Sequence, residues 1–411
     1  MSQIDRRQFM VHAAGAVAAI GLMPDSLPAA VRRPGSAPLP IALIGAGRQG
    51  RAMLVELAKI DAVKVVAVCD SDERRLDAGV RRVADAEGFA DHRALLDKRK
   101  DVAAVLVATP THQHKDIALD AIGAGRHVYC EAPIAHTVDD CRAIASAARG
   151  KRLAVVPGLE GRSNPVYQLA FGFSRSDAVR DIVAIRAQHC QKTSWRVPAS
   201  DPARDRALNW RLDPDVSIGL VGELGVQAID VAHWYRGRFP TTVSGSGSVR
   251  FHQDGRTVFD TAHADLHFDD GVRLGYFATL ASSYESRHEL FVGSNASIRL
   301  AWSHAWMFKE ADAPTQGWEV YANRQQFHND EGITLIAGAT KLAEQGKLKE
   351  GVGLPHPSLY YALSDFFRAA IEGAAPAATI EDGMRASAVA ILAHQASVAG
   401  AAVPIPRDIL G

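Results

Sequence analysis

Cysteine is scarce in this chain: four in 411 residues, at positions 69, 130, 141 and 190, with no CxxC pair and no zinc-ligand spacing. That pattern argues against a disulfide framework and against a structural metal site. Cys69 and Cys130 close apolar runs that read as strands, so buried free thiols are expected. Neither charge is in surplus, since Lys+Arg and Asp+Glu both number 46. A nucleic-acid binder normally carries a basic excess, so none is expected as a partner. No apolar run reaches the roughly 20 residues a membrane span needs. What remains is a soluble globular composition, 47% hydrophobic and 22% charged, in a chain long enough for about two domains.

The first 38 residues stand apart. Asp5-Arg6-Arg7-Gln8-Phe9-Met10 is a twin-arginine pattern, followed by the small, apolar stretch Val11 to Met23 and by Ala29-Ala30. Charged, apolar and small-residue regions in that order are the layout of a bacterial export signal. The expectation is a periplasmic or secreted protein that meets the twin-arginine export machinery. That route carries folded cargo, which suits a protein that acquires a cofactor before leaving the cytoplasm. Arg32–Pro40 reads as a linker.

Pro40–Ile44 is an apolar run of the kind buried on both faces of a parallel sheet, and it enters Gly45-Ala46-Gly47-Arg48-Gln49-Gly50 directly. The first glycine permits the tight turn, the second lets backbone approach a pyrophosphate, and the third lets the following helix pack closely. A second apolar run, Val63–Cys69, ends at Asp70, about 20 residues past Gly50, where a carboxylate takes the adenosine ribose hydroxyls. An acid there repels a 2′-phosphate, so NAD is expected rather than NADP, with Arg74 and Arg75 as a mild counterweight. Strand-like and helical runs then alternate: Asp101–Ala108, Ile117–Gly125, His127–Cys130, Thr137–Ala148 and Leu153–Val156. Strict alternation predicts a doubly wound α/β parallel sheet, the Rossmann fold, over 39–160. Ligands bind at the carboxyl ends of such strands, which places loops 109–114 and 131–134 at the site.

From 161 to 411 the pattern changes. Segments 181–191, 242–251, 257–267, 272–282, 288–293 and 297–302 are β-like, accompanied by helical stretches at 224–236, 358–373 and 381–399. Thr379-Ile-Glu-Asp382 is a capping box for the last helix. The expectation is an α+β domain with an open, mostly antiparallel sheet. Its free face would suit a homo-oligomer.

Five stretches together resemble the family of glucose–fructose oxidoreductase and inositol 2-dehydrogenase (Gfo/Idh/MocA). They are the IGAGRQG opening, Thr109-Pro110-Thr111-His112-Gln113-His114, the Gly125–Pro133 run ending Glu131-Ala132-Pro133, Asn209–Pro214, and Gly222–Asp230. The resemblance implies a nicotinamide cofactor, a sugar or cyclitol ligand, and a site between the domains. It implies cofactor contacts from Gly45, Gly47, Arg48, Gln49, Gly50, Asp70, Thr109, Pro110, His112, Glu131, Ala132, Pro133 and Arg162. Glu131 is expected at the nicotinamide ribose, before a cis-prone Ala132-Pro133 bond. Some exported members of the family hold the cofactor tightly.

Two departures matter more than these matches. The family's Glu-Lys-Pro lysine, which assists proton transfer, is Ala132 here, and its catalytic histidine falls on Gln227. A methyl group cannot hold a charge, and an amide cannot accept a proton at pH 7. Oxidising an alcohol needs its hydroxyl proton removed as the hydride leaves, and a positioned base is worth roughly 10²–10⁴ in rate. Glu223, Gln227 and Asp230 are spaced i, i+4 and i+7, so they share a helix face, and Glu223 or Asp230 is a candidate base. His112 and His114 are candidate proton shuttles, with unperturbed pKa near 6.5. In the polar-aromatic stretch of His189, Lys192, Trp195 and Arg196, Lys192 is a candidate replacement for the lost ammonium. Arg162 and Tyr167 either close over the cofactor or pack, and His233 and Trp234 read as helix–sheet packing.

Three functions follow. The first is an exported NAD-dependent oxidoreductase acting on a sugar or cyclitol with a relocated base. The second is a glycoside-cleaving enzyme that oxidises a sugar carbon transiently, eliminates the leaving group and returns the hydride. The third is a cofactor-binding pseudoenzyme or subunit.

Overall fold

Six short parallel strands carry the first domain: β1 (Leu39–Ile44), β2 (Val63–Cys69), β3 (Glu87–Phe89), β4 (Ala104–Val107), β5 (His127–Cys130) and β6 (Val155–Pro157). The structure, a computed structural model, describes residues 37–410 apart from 200, 317, 318, 320 and 321, so the twin-arginine stretch lies outside the described residues. The strand order is β3-β2-β1-β4-β5-β6, with every neighbour pair parallel. The order reverses between β1 and β4, and the crevice outside their carboxyl ends is where such a sheet binds its ligand. Ile41–Ile44 and Ala104–Val107 are fully buried, as the unbroken apolar runs require.

The helices of the two halves take opposite faces. Met53, Leu54 and Leu57 of the helix Arg48–Leu57 pack on one, and Ile117, Ala121 and Ile144 from the helices His114–Gly123 and Val138–Ala148 pack on the other. This arrangement leaves Leu106, Tyr129 and Val156 on the first face without a local helix. The helix Ser358–Glu372 covers them with Leu359, Leu363, Phe366 and Phe367, an i, i+4, i+7, i+8 stripe. Burying each contributes about 1.5–3 kcal/mol. Chain order alone places this helix in the second domain. Spatially the chain returns to the first, where these side chains meet a matching apolar surface.

Among the described residues the second sheet has ten strands: β7 (Ile182–Cys190), β8 (Thr242–Ser248), β9 (Thr261–His267), β10 (Arg273–Thr279), β11 (Arg287–Gly293), β12 (Ala296–Leu300), β13 (Ala305–Lys309), β14 (Arg324–Phe327), β15 (Asp330–Thr334) and β16 (Val403–Pro404). Their order is β14-β15-β13-β12-β11-β7-β10-β9-β8-β16. Of these pairs, β7 and β10 run parallel and the rest are antiparallel. Alternation sets the faces: in β9, Ala262, Ala264 and Leu266 are buried while His263 and Asp265 are exposed. Helices Gly219–Arg236 and Ile380–Ala399 pack on the buried face, the latter opened by the Thr379/Asp382 capping box. Ile380, Met384 and Ile391 of that last helix also join the first domain's core, so it fastens the two domains together. All four cysteines are free and buried.

Candidate active site

The glycine-rich turn is forced by close approach. Gly45 has φ +99°, and a Cβ on it would stand 2.6 Å from the Ala108 carbonyl carbon. A Cβ on Gly50 would stand 1.8 Å from the Gly45 oxygen, so no other residue lets the helix start here. Gly47 is different, because its nearest side-chain neighbour is the Arg75 guanidinium at 3.8 Å. Its surroundings leave room for a ligand to approach the backbone. As N-cap it offers no side-chain acceptor, so the first amides of the helix point free at that space. Asp70 at the end of β2 accepts from the Ala46 amide at 2.8 Å and the Asp72 amide at 2.9 Å, which clamps the turn. Burial raises its pKa above the ordinary carboxylate value. Arg204 reaches over from the second domain to Asp72 at 2.6 Å, while Arg74 and Arg75 line the same end.

From here one cleft of about 1100 Å³ runs between the domains to Glu131, Ala132, Glu160, His189, Glu223, Gln227 and Arg287. Thr109, Pro110 and His112 line it at the carboxyl end of β4, as the parallel-sheet rule requires. His112 presents a half-buried ring edge-on to Trp210, at 5.8 Å between centroids, and burial lowers its pKa. Glu131 accepts from the Gln49 amide at 3.0 Å, and the Ala132-Pro133 bond is cis. Glu223 accepts from the Thr111 hydroxyl at 3.0 Å and stands 3.8 Å from the Arg211 guanidinium. Burial raises its pKa. Gln227 donates to the Gly158 carbonyl at 2.7 Å.

Four of the residues expected at the site do not reach the chemistry. Asp230 is locked in a bidentate ion pair with Arg162, at 2.7 and 2.9 Å, and both lie behind the cleft wall. The helix bends no side chain of the third turn back into the opening: Glu223 and Gln227 line it, and Asp230 faces Arg162 instead. That pairing also removes Arg162 as a cofactor contact. Lys192 points away, its ammonium 5.6 Å from the Phe251 ring centroid. His114 reaches the cleft margin, but both ring nitrogens meet carbonyl oxygens, Pro133 and Thr109, each at 2.9 Å. Burial pushes its pKa down to about 4 while the two carbonyl contacts oppose that shift, and with a carbonyl oxygen against each nitrogen it has none free to shuttle protons. Of the remaining cofactor candidates, Gly50 and Pro133 act through packing and geometry behind the surface that Gly45, Gly47, Arg48 and Gln49 present. Tyr167 packs, donating to Glu289 at 2.5 Å, and His233 stacks on Phe239.

Other residues complete the cleft. Arg211 lies between two indoles, 4.3 Å from the Trp210 centroid and 5.6 Å from Trp195. His189 and Arg287 are register partners across β7 and β11, so their side chains emerge together at the sheet's end. Burial and the guanidinium of Arg287 push His189 down to about 3. The Arg287 guanidinium stands 4.0 Å from Glu160. Glu160 follows β6 by three residues, so the strand-end rule that found Thr109 and Glu131 applies to it as well. Arg287 has no such signal, because sheet register alone brings it in.

Residues 39–159 match the oxidoreductase family model described as an NAD-binding Rossmann fold, and residues 184–405 match that family's C-terminal alpha/beta domain. Levoglucosan dehydrogenase of Pseudarthrobacter phenanthrenivorans is 28% identical over 210 residues, 49% of this chain and 52% of that protein, so the match spans about half its length. Inositol 2-dehydrogenase 2 of Saccharopolyspora erythraea is 28% identical over 264 residues, 63% of this chain and 72% of that protein. A solved levoglucosan dehydrogenase, in complex with NADH and levoglucosan, shares the fold at TM-score 0.71 and 21% identity, covering 90% of this chain and 99% of that one. The free amides at Gly47, the open space before it and the Asp70 carboxylate fit the dinucleotide these matches imply. The chain belongs to the Gfo/Idh/MocA oxidoreductase family and carries its NAD-binding domain.

Proposed function

We propose that the protein oxidises a secondary hydroxyl of a sugar or cyclitol, with NAD lying across the carboxyl ends of β1 and β4. The observation that carries this reading is the continuity of a single cleft from the Gly47 and Asp70 end to the Glu160, His189 and Arg287 end. Trp195, Trp210 and Arg211 form a polar-aromatic wall between these ends, the lining that polyol rings commonly meet. The names of the two dehydrogenase relatives support the substrate class.

Gly47, Arg48 and the helix amides would hold the pyrophosphate, Asp70 the adenosine ribose, and Glu131 with Gln49 the nicotinamide ribose. When bound, the cofactor supplies the hydride acceptor. The chain's own residues orient the hydroxyl, exclude water and take its proton. His189 suits hydrogen bonding as a neutral ring, with its buried Nδ1 free of any protein partner among the described residues. Protonating it beside Arg287 would set two cations together. Glu223 Oε2 is engaged by Thr111 and Arg211, while its buried Oε1 has no partner among the described residues.

The test is to purify the protein without added cofactor, denature it and quantify released nucleotide, then challenge it with a panel of sugars and cyclitols. Near-stoichiometric NAD and a ketone formed with NADH support the reading. A cleaved glycoside with no net NADH supports the elimination–oxidation alternative instead. An empty site that gains no NAD on titration leaves only a scaffold role.

The same reading extends to location and assembly. Arg6-Arg7, the apolar stretch to Met23 and the small residues after it support twin-arginine export, tested by fractionating cells that express the full chain. The uncovered face of the second sheet, where His263 stacks on Phe277 at 4.8 Å, supports a homo-oligomer, tested by light scattering.

A further inference from the structure

With Ala132 and Gln227 in place of the family's lysine and histidine, the hydroxyl proton needs another acceptor. Two carboxyl groups, those of Glu131 and Glu160, line the cleft together with Ala132. Glu131 precedes Ala132, and Gly158 packs its backbone directly beneath them: a Cβ on Gly158 would stand 3.0 Å from the Glu131 Cα and 3.1 Å from both the Ala132 nitrogen and Glu131 Oε2. Glu160 lies two residues further on and lines the same cleft. Gln227 anchors the Gly158 carbonyl and so fixes this floor.

The two carboxyl groups differ in their surroundings. Glu131 Oε1 accepts from Gln49, which leaves Oε2 over Gly158 to carry a proton. Glu160 has the Arg287 guanidinium 4.0 Å from its Oε2, a cation that favours its charged form. The buried Tyr129 hydroxyl and Cys130 thiol of β5 feel Glu131, and Tyr129 feels Glu160 and Asp365 as well. His189 on β7 feels two cations, Arg287 first and then Arg48, and of these Arg287 is the one that acts on Glu160. Two carboxylates confined together do not both ionise readily. Accordingly burial, then Glu160, pushes Glu131 up to about 8, while burial raises Glu160 and Arg287 opposes that rise.

We propose that Glu131 and Glu160 hold one proton between them, and that the Glu160 carboxylate is the catalytic group that takes the substrate's hydroxyl proton. The inference rests on the oxidoreductase reading above. In the step, the substrate O–H bond breaks and its proton bonds to a Glu160 oxygen. The former O–H electron pair becomes the second C–O bond as the carbinol C–H departs with its pair to the oxidised nicotinamide. Glu131, already carrying a proton, adds no second negative charge, and the accepted proton leaves to water after turnover.

The experiment joins an infrared titration of the full-length protein, with ¹³C-labelled glutamate, to single-turnover hydride transfer. Wild type is expected to show a protonated glutamate carbonyl band at neutral pH, in which buried Glu289, pushed up to about 7, titrates first and Glu131 is lost as pH rises past about 8. Glu131→Gln removes the later-titrating part, and Glu160→Gln keeps that part but moves its loss to lower pH. Glu160→Gln slows hydride transfer roughly 10²–10⁴-fold with KM little changed, and Glu160→Asp recovers part of the rate. Circular dichroism of both position-160 variants checks that each is folded. A wild-type band that Glu131→Gln leaves unchanged, or no neutral-pH band at all, overturns the shared proton whatever the turnover. A wild-type rate in Glu160→Gln overturns the acceptor. A band without turnover on any sugar or cyclitol overturns the oxidoreductase reading and the acceptor role together, and leaves the shared proton standing.

Discussion

Gln227 donates its side-chain amide to the Gly158 carbonyl at 2.7 Å, and this bond ties the long helix of the second domain to the end of β6 in the first. Gln227, at the position where the resemblance implies a catalytic histidine, serves as a structural strut. Gln227→Ala leaves a buried carbonyl without its donor, which costs about 1–3 kcal/mol. The expected outcome is a lower midpoint in denaturant, together with weakened NAD binding as the floor under Glu131 loosens. Isothermal titration with NAD checks the second effect.

The Arg162–Asp230 pair gives the opposite separation of effects. Both partners are buried, and Asp382 adds a further carboxylate 3.4 Å from the guanidinium. Removing Asp230 leaves the guanidinium with the longer Asp382 contact alone, at a cost of up to about 3–5 kcal/mol. Asp230→Leu is therefore expected to lose that much stability, and the double variant with Arg162→Met to recover much of it. Because neither residue lines the cleft, the folded fraction of each variant binds NAD as wild type does. A double-mutant cycle by chemical unfolding, with NAD titration alongside, measures both.

How much of this is readable in the sequence depends on the kind of signal. The nucleotide end is legible because its constraints are local: Gly45 and Gly50 are demanded by contacts within one strand–turn–helix unit and the strand beside it, and Asp70 by the length of the next strand. The long helices show through their apolar period. Strands β13 to β15 do not, being four or five residues long and carrying runs such as Arg324-Gln-Gln-Phe327 with no apolar alternation. The catalytic end is harder still. Helical spacing puts Glu223, Gln227 and Asp230 on one face, but an apolar period cannot say where along that face the cleft stops. Arg287 enters only because β11 pairs with β7 in a register that sets it beside His189.

Cofactor choice turns on charges at the adenosine end. Asp70 repels a 2′-phosphate, and Asp72 occupies Arg204 at 2.6 Å, so that cation is not free to attract one. Wild type is expected to prefer NAD. Asp72→Ser releases Arg204 next to Arg75, and should improve NADP affinity relative to NAD by about tenfold, or 1.4 kcal/mol. Fluorescence titration with NADH and NADPH reads the ratio. An unchanged ratio would show that Arg204 stays out of reach of the site.

Stability should fall on both sides of a maximum, for opposite reasons. Burial pushes His114 and His233 down to about 4, below the ordinary value near 6.5. The unfolded chain then binds more protons as pH drops, so their contribution is full above pH 6.5 and is lost as pH falls towards 4. Glu131 runs the other way. Its pKa is raised from 4.5 to about 8, so the native state holds the extra proton, and that contribution is lost as pH rises through 8. Unfolding of the nucleotide-free protein across pH 4 to about 9 should trace this maximum. Glu131→Gln should flatten the alkaline side and, because the Glu131 slope begins at 4.5, steepen the rise on the acid side up to pH 6.5.

Ala132→Lys places an ammonium in the cleft that Glu131 and Glu160 also line. A cation within a few ångströms favours the charged form of both carboxyl groups. The Glu131 titration should therefore drop from about 8, and the Glu131 part of the neutral-pH carboxylic acid band should vanish without either glutamate being replaced. Alcohol oxidation by wild type should rise with pH through the titration of Glu160. In Ala132→Lys that rise should begin at lower pH, because the proton-accepting carboxylate is populated sooner. The lysine also offers a second proton carrier, so Glu160→Gln should be far less damaging in the Ala132→Lys background than in wild type. Near-equal loss in both backgrounds would mean that the new ammonium does not reach the hydroxyl, and that Glu160 acts alone. The pH profile of kcat/KM for the two single variants and the double variant, taken together, separates these cases.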